Sequence, residues 1–258
     1  MKLSAAYNAF DGLELLPHSL KSIRKSVDCI IVVWQNISNH GNESEVNTAK
    51  VLEALQVQGL IDVIIHYDTD FKKTPHQNEL AKRNVGLNYA RNNGYTHHLN
   101  IDCDELYLKA EFDLAKRIIS SNDIEATACK MKTYYKYPNC IITPAEEYYV
   151  PFIHKITHAN YTLSTKWNLL ADPTRKVPCK LVHEFSRLEL TMHHLSYIRN
   201  NIRVKLDNSS ANVNFKKRID KLEEHYNNFK INGKAMLAGS EERIYSTTQT
   251  ANIIDLIG

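Results

Sequence analysis

The amino-acid sequence predicts an α/β domain built in three layers around a mainly parallel sheet. Three observations predict it. Over roughly the first hundred residues, β-branched apolar runs alternate with segments of helical period in the order β-α-β-α-β-α-β. The run Asp28–Trp34 reads DCIIVVW, without polar alternation, as a strand covered on both faces does. And 258 residues with 43% hydrophobic and 24% charged side chains suit a globular chain that can bury a sizeable core.

Leu3–Tyr7 is the first strand. Residues 13–26 carry Leu13, Leu16, Leu20 and Ile23 at helical spacing. After the second strand, the polar residues 36–45, with Gly41, form a loop. A helix over 46–58 turns Val51, Leu52 and Leu55 inward. Ile61–His66 is the third strand. The helix over 77–92 carries Leu80, Val85, Leu87 and Ala90, and Asn93-Gly94 stops it. His97–Ile101 is the fourth strand. The second half is less regular. It offers a helix over 110–120, strands over 126–135, 148–156 and 188–197, and helices over 199–207 and 215–229. Residues 240–258 read as a polar tail whose Ile253, Ile254, Leu256 and Ile257 are placed to dock back. No repeat or low-complexity linker divides the chain. It is therefore one domain over 1–258, with a first half (1–107), a second half (108–198) and C-terminal helices and tail (199–258).

The five cysteines are odd in number and include no CxxC, so they read as reduced, buried thiols of a cytoplasmic protein. A net charge of +3 does not by itself mark a nucleic-acid binder, although a basic face fits within so small a total. No secretion signal is expected at the N-terminus. No window approaches the ~18 apolar residues of a membrane span.

The chemistry concentrates in Asn100-Ile101-Asp102-Cys103-Asp104-Glu105. Ligands of parallel sheets bind beyond the carboxyl ends of the strands, where Asp102 and Asp104 stand. Two carboxylates one residue apart can reach a single hard cation, Mg²⁺ or Mn²⁺. Such a cation bridges the phosphates of a nucleoside diphosphate and offsets its charge as it leaves. The helix before this strand carries Lys82, Arg83 and Asn84. Glu105 is expected to cap the following helix.

The segment Lys82-Arg83-Asn84-x-Gly86-Leu87-x-x-Ala90-x-x-x-Gly94-x-Thr96-His97-x-Leu99-x-Ile101-Asp102-x-Asp104-Glu105 resembles the core of GT-A glycosyltransferases, especially the family-2-like bacterial and viral type. Ala5-Ala6-Tyr7-Asn8 resembles that family's first strand and turn. The resemblance covers residues 3–107 and is loose beyond. It implies a GT-A (Rossmann-like) fold with an acceptor-side β region and a nucleoside-diphosphate sugar, by default a UDP-sugar, as donor. It also implies that Asp102 touches the ribose or metal and Asp104 binds the metal. Ala6, Tyr7 and Asn8 would lie against the base, with Asp68 near the base or ribose. Lys82, Arg83 and Asn84 would sit near the nucleotide. Trp34-Gln35-Asn36 departs from the acid that many members carry there.

In such enzymes a late histidine often completes the metal site. His193 and His194 point to opposite faces of an extended segment. His194, on the same face as Ser196, is preferred, with His183 as a further alternative. An inverting transferase needs a carboxylate base, for which Glu146, Glu147, Asp172 and Glu184 are available. Asp172 opens Asp172-Pro173-Thr174-Arg175, a turn with an arginine suited to phosphate. Tyr134, Tyr135, Tyr137, Tyr148, Tyr149, Phe152, Tyr161 and Trp167 make the acceptor half aromatic, suited to a second core or to stacking on sugars. Arg199, Arg203, Lys205, Lys216, Lys217, Arg218 and Lys221 read as a mostly solvated helix face or as a platform for an anionic acceptor.

Three functions are therefore weighed. The first is metal-dependent glycosyl transfer to a glycan, lipid-linked sugar or protein hydroxyl. The second is the same chemistry on hydroxylated bases of viral DNA, in the host cytoplasm, where the base must leave the stack. The third is a non-catalytic nucleotide-sugar-binding module.

Overall fold

The computed structural model describes residues 1–44 and 46–257. Glu45 in the expected loop and Gly258 in the expected tail lie outside the described residues. The first strands form as expected: β1 (Leu3–Ala9), β2 (Cys29–Trp34), β3 (Val63–His66) and β4 (His97–Asp102). They pair in parallel in the order β3-β2-β1-β4. Of β2, Cys29–Val33 is buried, as its uninterrupted apolar run requires.

Helices α1 (Leu16–Arg24), α2 (Thr48–Val57) and α3 (Pro75–Asn92) connect these strands. Asn47 caps α2 by accepting from the Lys50 N–H, and Thr74 and Gln77 form a capping box on α3. Leu16, Leu20 and Ile23 of α1, with Phe112 and Ile119 of α4 (Lys109–Asn122), bury against one sheet face. Ile31, Val33 and Ala6 meet Ala90 of α3 on the other. Gly86 lets α3 sit tight on β1, because a Cβ there would lie 2.5 Å from that of Ala6. Helices thus flank the sheet on both sides, giving three layers.

Beyond β4 the sheet turns mixed. β8 (Tyr149–Lys155) runs antiparallel to β4, and β6 (Ala126–Tyr135) antiparallel to β8. Along the other edge of β6 lie β9 (Val182–Phe185) beside Ala126–Cys129 and β10 (Thr191–Tyr197) beside its second half, both parallel to it. The two-residue β5 (Glu105–Leu106) pairs with β10 in the register His194↔Glu105. That pairing draws the acidic turn and the histidine pair together.

The helix expected over 199–207 is α5 (Ile202–Asn208). The one expected over 215–229 is a 3₁₀ turn, Lys216–Arg218, followed by α6 (Ile219–Asn227). The expected polar tail is corrected. With β11 (Lys234–Leu237), its first part, β12 (Arg243–Gln249), forms a hairpin that docks on β7 (Cys140–Thr143). Strand β12 escaped notice because its side chains are largely polar and exposed; backbone pairing on both edges holds it. Ile253 docks, 1% exposed, against Leu15, Leu106, Tyr134 and Leu195, whereas Leu256 remains exposed.

Candidate active site

The chain runs outward from β1 to β2 and β3, then returns to place β4 on the other side of β1. This reversal leaves a crevice beyond the carboxyl ends of β1 and β4. There Asn8 and Asp102 stand side by side in register. A cavity of about 350 Å³ opens at this point. Into it the fold brings Asn8, Lys82, Asp102, Asp104, Asp172 and His194 from the residues expected to act. Both polar atoms of the Asn8 side chain are buried and without a partner among the described residues.

Asp102 and Asp104 take separate partners. Arg175 Nη2 donates to Asp102 Oδ2 at 2.5 Å, and Arg83 Nη1 stands 3.2 Å from Oδ1. Burial alone would raise the Asp102 carboxyl. The two guanidiniums outweigh it and hold the group well below the usual carboxylate range. Arg175 also grips Glu105 with both Nη atoms, at 2.7 and 2.8 Å, and its Nε lies 3.0 Å from Asp172. Arg83 adds Glu79 at 2.5 Å and Thr174 Oγ1 at 3.0 Å. Both arginines are almost wholly buried. For Glu105, burial outweighs Arg175, and its carboxyl is raised. Glu105 sits in β5 rather than in a helix cap.

Asp104 belongs to a second cluster. Arg199 Nη2 donates to its Oδ2 at 2.6 Å, and His194 Nε2 stands 4.0 Å from Oδ1. Burial raises this carboxyl, but Arg199 and then His194 bring it below its usual value. The alternation along β10 puts His194 and Ser196 in the cavity. It turns His193 to the other side, where His193 Nδ1 meets the Tyr134 hydroxyl at 2.9 Å. Two lysines complete the walls. Burial lowers Lys82 and Lys205 each to about 8, so both remain largely protonated at neutral pH.

Several expected residues lie elsewhere. Ala6 packs under Gly86, and Tyr7 is core, its hydroxyl 3.0 Å from Ser19 Oγ. Neither lines the cavity. Asp68 is exposed beyond β3, beside His66. Arg83 stands behind the wall, reaching the site through Asp102. Asn84 exchanges two hydrogen bonds with the backbone of Tyr161 and so pins the 157–179 segment. Glu146 accepts from Thr133 at 2.7 Å and pairs with Arg243; Glu147 pairs with Lys130 on the surface. His183 and Glu184 sit on β9, away from the cavity. Lys216, Lys217 and Arg218 line a separate hollow.

Asp11, Gln35 and Glu79 also line the cavity, as do Arg199 and Lys205 from the basic run expected to form a solvated helix face or an anionic platform. No local motif marks Asp11.

A hard cation can be tested against this donor set. Among the described residues no three His, Cys, Asp or Glu side chains converge as a metal cluster. Asp104 Oδ1 and His194 Nε2 do face one another across 4.0 Å. Cations in nucleotide sites commonly take one or two protein ligands and fill their shells with phosphate oxygens and water. The Asp104–His194 pair fits that pattern, whereas Asp102 is turned to its arginines.

No protein-family model and no curated protein matches the chain. Among solved structures, S. aureus TarS 1-349 is similar over 88% of this chain and 72% of its own, with 15% identity and a TM-score of 0.50. S. aureus TarS is similar over 90% of this chain, with 16% identity and a TM-score of 0.50, and this chain spans 45% of its length. TarS 1-349 in complex with UDP-GlcNAc matches over 52% of this chain and 35% of its own, with 20% identity and a TM-score of 0.39. The likeness to TarS over most of the chain shows that this protein has the GT-A fold its sequence resembles.

Proposed function

We propose that the protein is a glycosyltransferase that moves a sugar from a nucleoside-diphosphate sugar, a UDP-sugar by default, to an acceptor hydroxyl of a glycan, lipid-linked sugar or protein. The observation that carries this reading is the Asp104–His194 pair, set in a cavity at the switch point of a GT-A sheet with Lys82, Arg199 and Lys205 around it. The nucleoside would enter along Asn8 and Gln35, where the unpaired Asn8 Nδ2 offers a donor and Asn8 Oδ1 and Gln35 Oε1 offer acceptors to a base. The diphosphate would meet Lys82, Lys205 and Arg199. Cations fixed before reaction stabilise charge that develops on a leaving group, without reorganisation at the moment of transfer. Mn²⁺ or Mg²⁺, held by Asp104 and His194, would supply further charge neutralisation at the same phosphates. Asp102 would contact the ribose from a position locked by Arg83 and Arg175. TarS, which shares the fold, has been crystallised with UDP and with UDP-GlcNAc.

The test is a thermal-shift screen of nucleotide sugars with and without Mn²⁺. A donor at a hundred times its Kd adds about 2.7 kcal/mol, a rise of roughly 5–10 °C for a chain of this size. The reading expects one nucleotide series to stand out, to need Mn²⁺, and to be hydrolysed slowly by the protein. Binding without turnover of any donor would point instead to a non-catalytic module. No shift with any nucleotide sugar would refute the reading.

A further inference from the structure

Among the described residues five carboxylates line the cavity: Asp11, Glu79, Asp102, Asp104 and Asp172. Four are paired with arginine. Arg83 holds Glu79, Arg83 and Arg175 share Asp102 and Asp172, and Arg199 holds Asp104. Arginine holds Asp102, Asp104 and Asp172 below the usual carboxylate range despite their burial, which makes these three poor proton acceptors. Asp11 differs: among the described residues it makes no side-chain hydrogen bond and no ion pair.

Its position differs too. Asp11 stands on the loop after β1, on a wall that separates the cavity from a second one of about 210 Å³. Phe10, Asp11, Arg199 and Lys205 face both chambers. The second chamber has Leu13 and Val204 as apolar lining, with Asn201 and Glu14 among its polar groups. An aromatic ring, aliphatic walls and scattered hydrogen-bonding groups suit a small polyhydroxy ligand such as one sugar ring. The turn there is fixed: Gly12 has φ +72°, and a Cβ on it would lie 3.1 Å from Arg199 Nη2.

We propose that Asp11 is the general base of transfer and that the second chamber admits the acceptor alcohol to it. This rests on the glycosyltransferase reading above. The acceptor oxygen forms its bond to the anomeric carbon as the bond from that carbon to the diphosphate oxygen breaks. The diphosphate leaves with the electron pair, and the acceptor's hydroxyl proton passes to the Asp11 carboxylate. Burial raises the basicity of that carboxylate, with Arg199 and Lys205 restraining the rise and Asp104 and Glu14 adding to it. The placement also explains why Glu146, Glu147 and Glu184 do not serve: none faces either chamber.

The experiment uses the full chain, with water as acceptor. Nucleotide release is measured from UDP-glucose, UDP-galactose, UDP-GlcNAc and GDP-mannose, each with Mn²⁺, and UDP binding is measured by calorimetry. Asp11→Asn should lower kcat for hydrolysis about 100-fold or more while the Kd for UDP with Mn²⁺ stays within twofold. Should that variant lose thermal stability, Val204→Trp, which fills the second chamber, takes its place. It should slow hydrolysis at least tenfold at unchanged UDP affinity. Turnover within threefold of the unaltered protein overturns the assignment. So does a loss confined to UDP affinity, which would place Asp11 on the nucleotide. An unaltered protein that turns over no donor removes the parent reading, and this one with it; failure of Asp11→Asn alone leaves the parent reading intact.

Discussion

Arg199 donates to Asp104 Oδ2 at 2.6 Å, while His194 Nε2 stands 4.0 Å from the other oxygen of the same carboxylate. One acid thus divides its two lone-pair faces between a fixed guanidinium and an imidazole. The guanidinium keeps the acid ionised without a metal. The imidazole leaves room for a cation to enter between them. Asp102, two residues away, has arginine on both its oxygens. Under the proposed function the two acids would divide the work: Asp104 would face the metal with His194, and Asp102 would form part of the wall.

The Arg83–Arg175 cluster is buried, so removing one partner leaves charges uncompensated. Arg175→Met should destabilise the protein by about 3–5 kcal/mol in urea unfolding, because Asp102, Glu105 and Asp172 lose their shared cation. Adding Glu105→Gln should recover part of that loss, as expected of residues in one network. Additive losses in the double variant would show that the ion pairs are not the source.

Gly12 and Gly59 have nearly the same φ, +72° and +73°, but only Gly12 faces a side chain. Alanine at either position bears the left-handed backbone cost, about 1 kcal/mol. Gly12→Ala should cost about 1 kcal/mol more than Gly59→Ala, because its Cβ would crowd the Arg199 guanidinium that donates to Asp104 and force it to give by a few tenths of an ångström. Equal melting temperatures for the two variants would show that Arg199 has no fixed seat.

Buried histidines should weaken the fold as the pH falls below neutrality. Burial lowers His154 and His193 to about 4 and holds His98 well below its ordinary value. These groups stay neutral in the folded chain at pH values where the unfolded chain, near 6.5, takes up protons. The unfolded state then binds more protons, so stability falls as pH drops from about 6.5 toward 4. From pH 7 to pH 5 the loss is on the order of 2 kcal/mol for His154 alone. Asp11 and Glu105, which are raised, act in the opposite sense, so the comparison is made against His154→Gln. Urea unfolding at the two pH values should show a smaller pH dependence in that variant. An unchanged dependence would contradict the assignment.

The order of the first hundred residues was legible because β2 and β3 are short apolar runs and the segments between the strands carry apolar residues at helical spacing. The run Cys29–Val33 needed no other information. The pair Asp102-x-Asp104 was legible for the same reason, since strand ends can be located and ligand sites follow them. The preference for His194 over His193 came from strand alternation, and the cavity receives His194 and Ser196 together. What stayed hidden depends on long-range packing. Asp11 and Arg199 reach the site across 188 positions of sequence, and the role of Arg175 follows from its contacts with Asp102 and Glu105 some 70 positions away. Asn84 looked like a nucleotide contact because it follows Lys82 and Arg83, yet helical geometry turns it to Tyr161. Strand β12 has no apolar alternation to betray it, only backbone partners on both sides.

The central claim is that Asp104 and His194 hold a divalent cation against a nucleoside diphosphate in this cavity. Calorimetric titration of UDP, with and without Mn²⁺, into the unaltered protein, Asp104→Asn and His194→Ala tests it most directly. The account predicts binding that strengthens at least tenfold with Mn²⁺ in the unaltered protein and loses that gain in both variants. UDP affinity indifferent to Mn²⁺, or a Mn²⁺ effect that survives both substitutions, would contradict it.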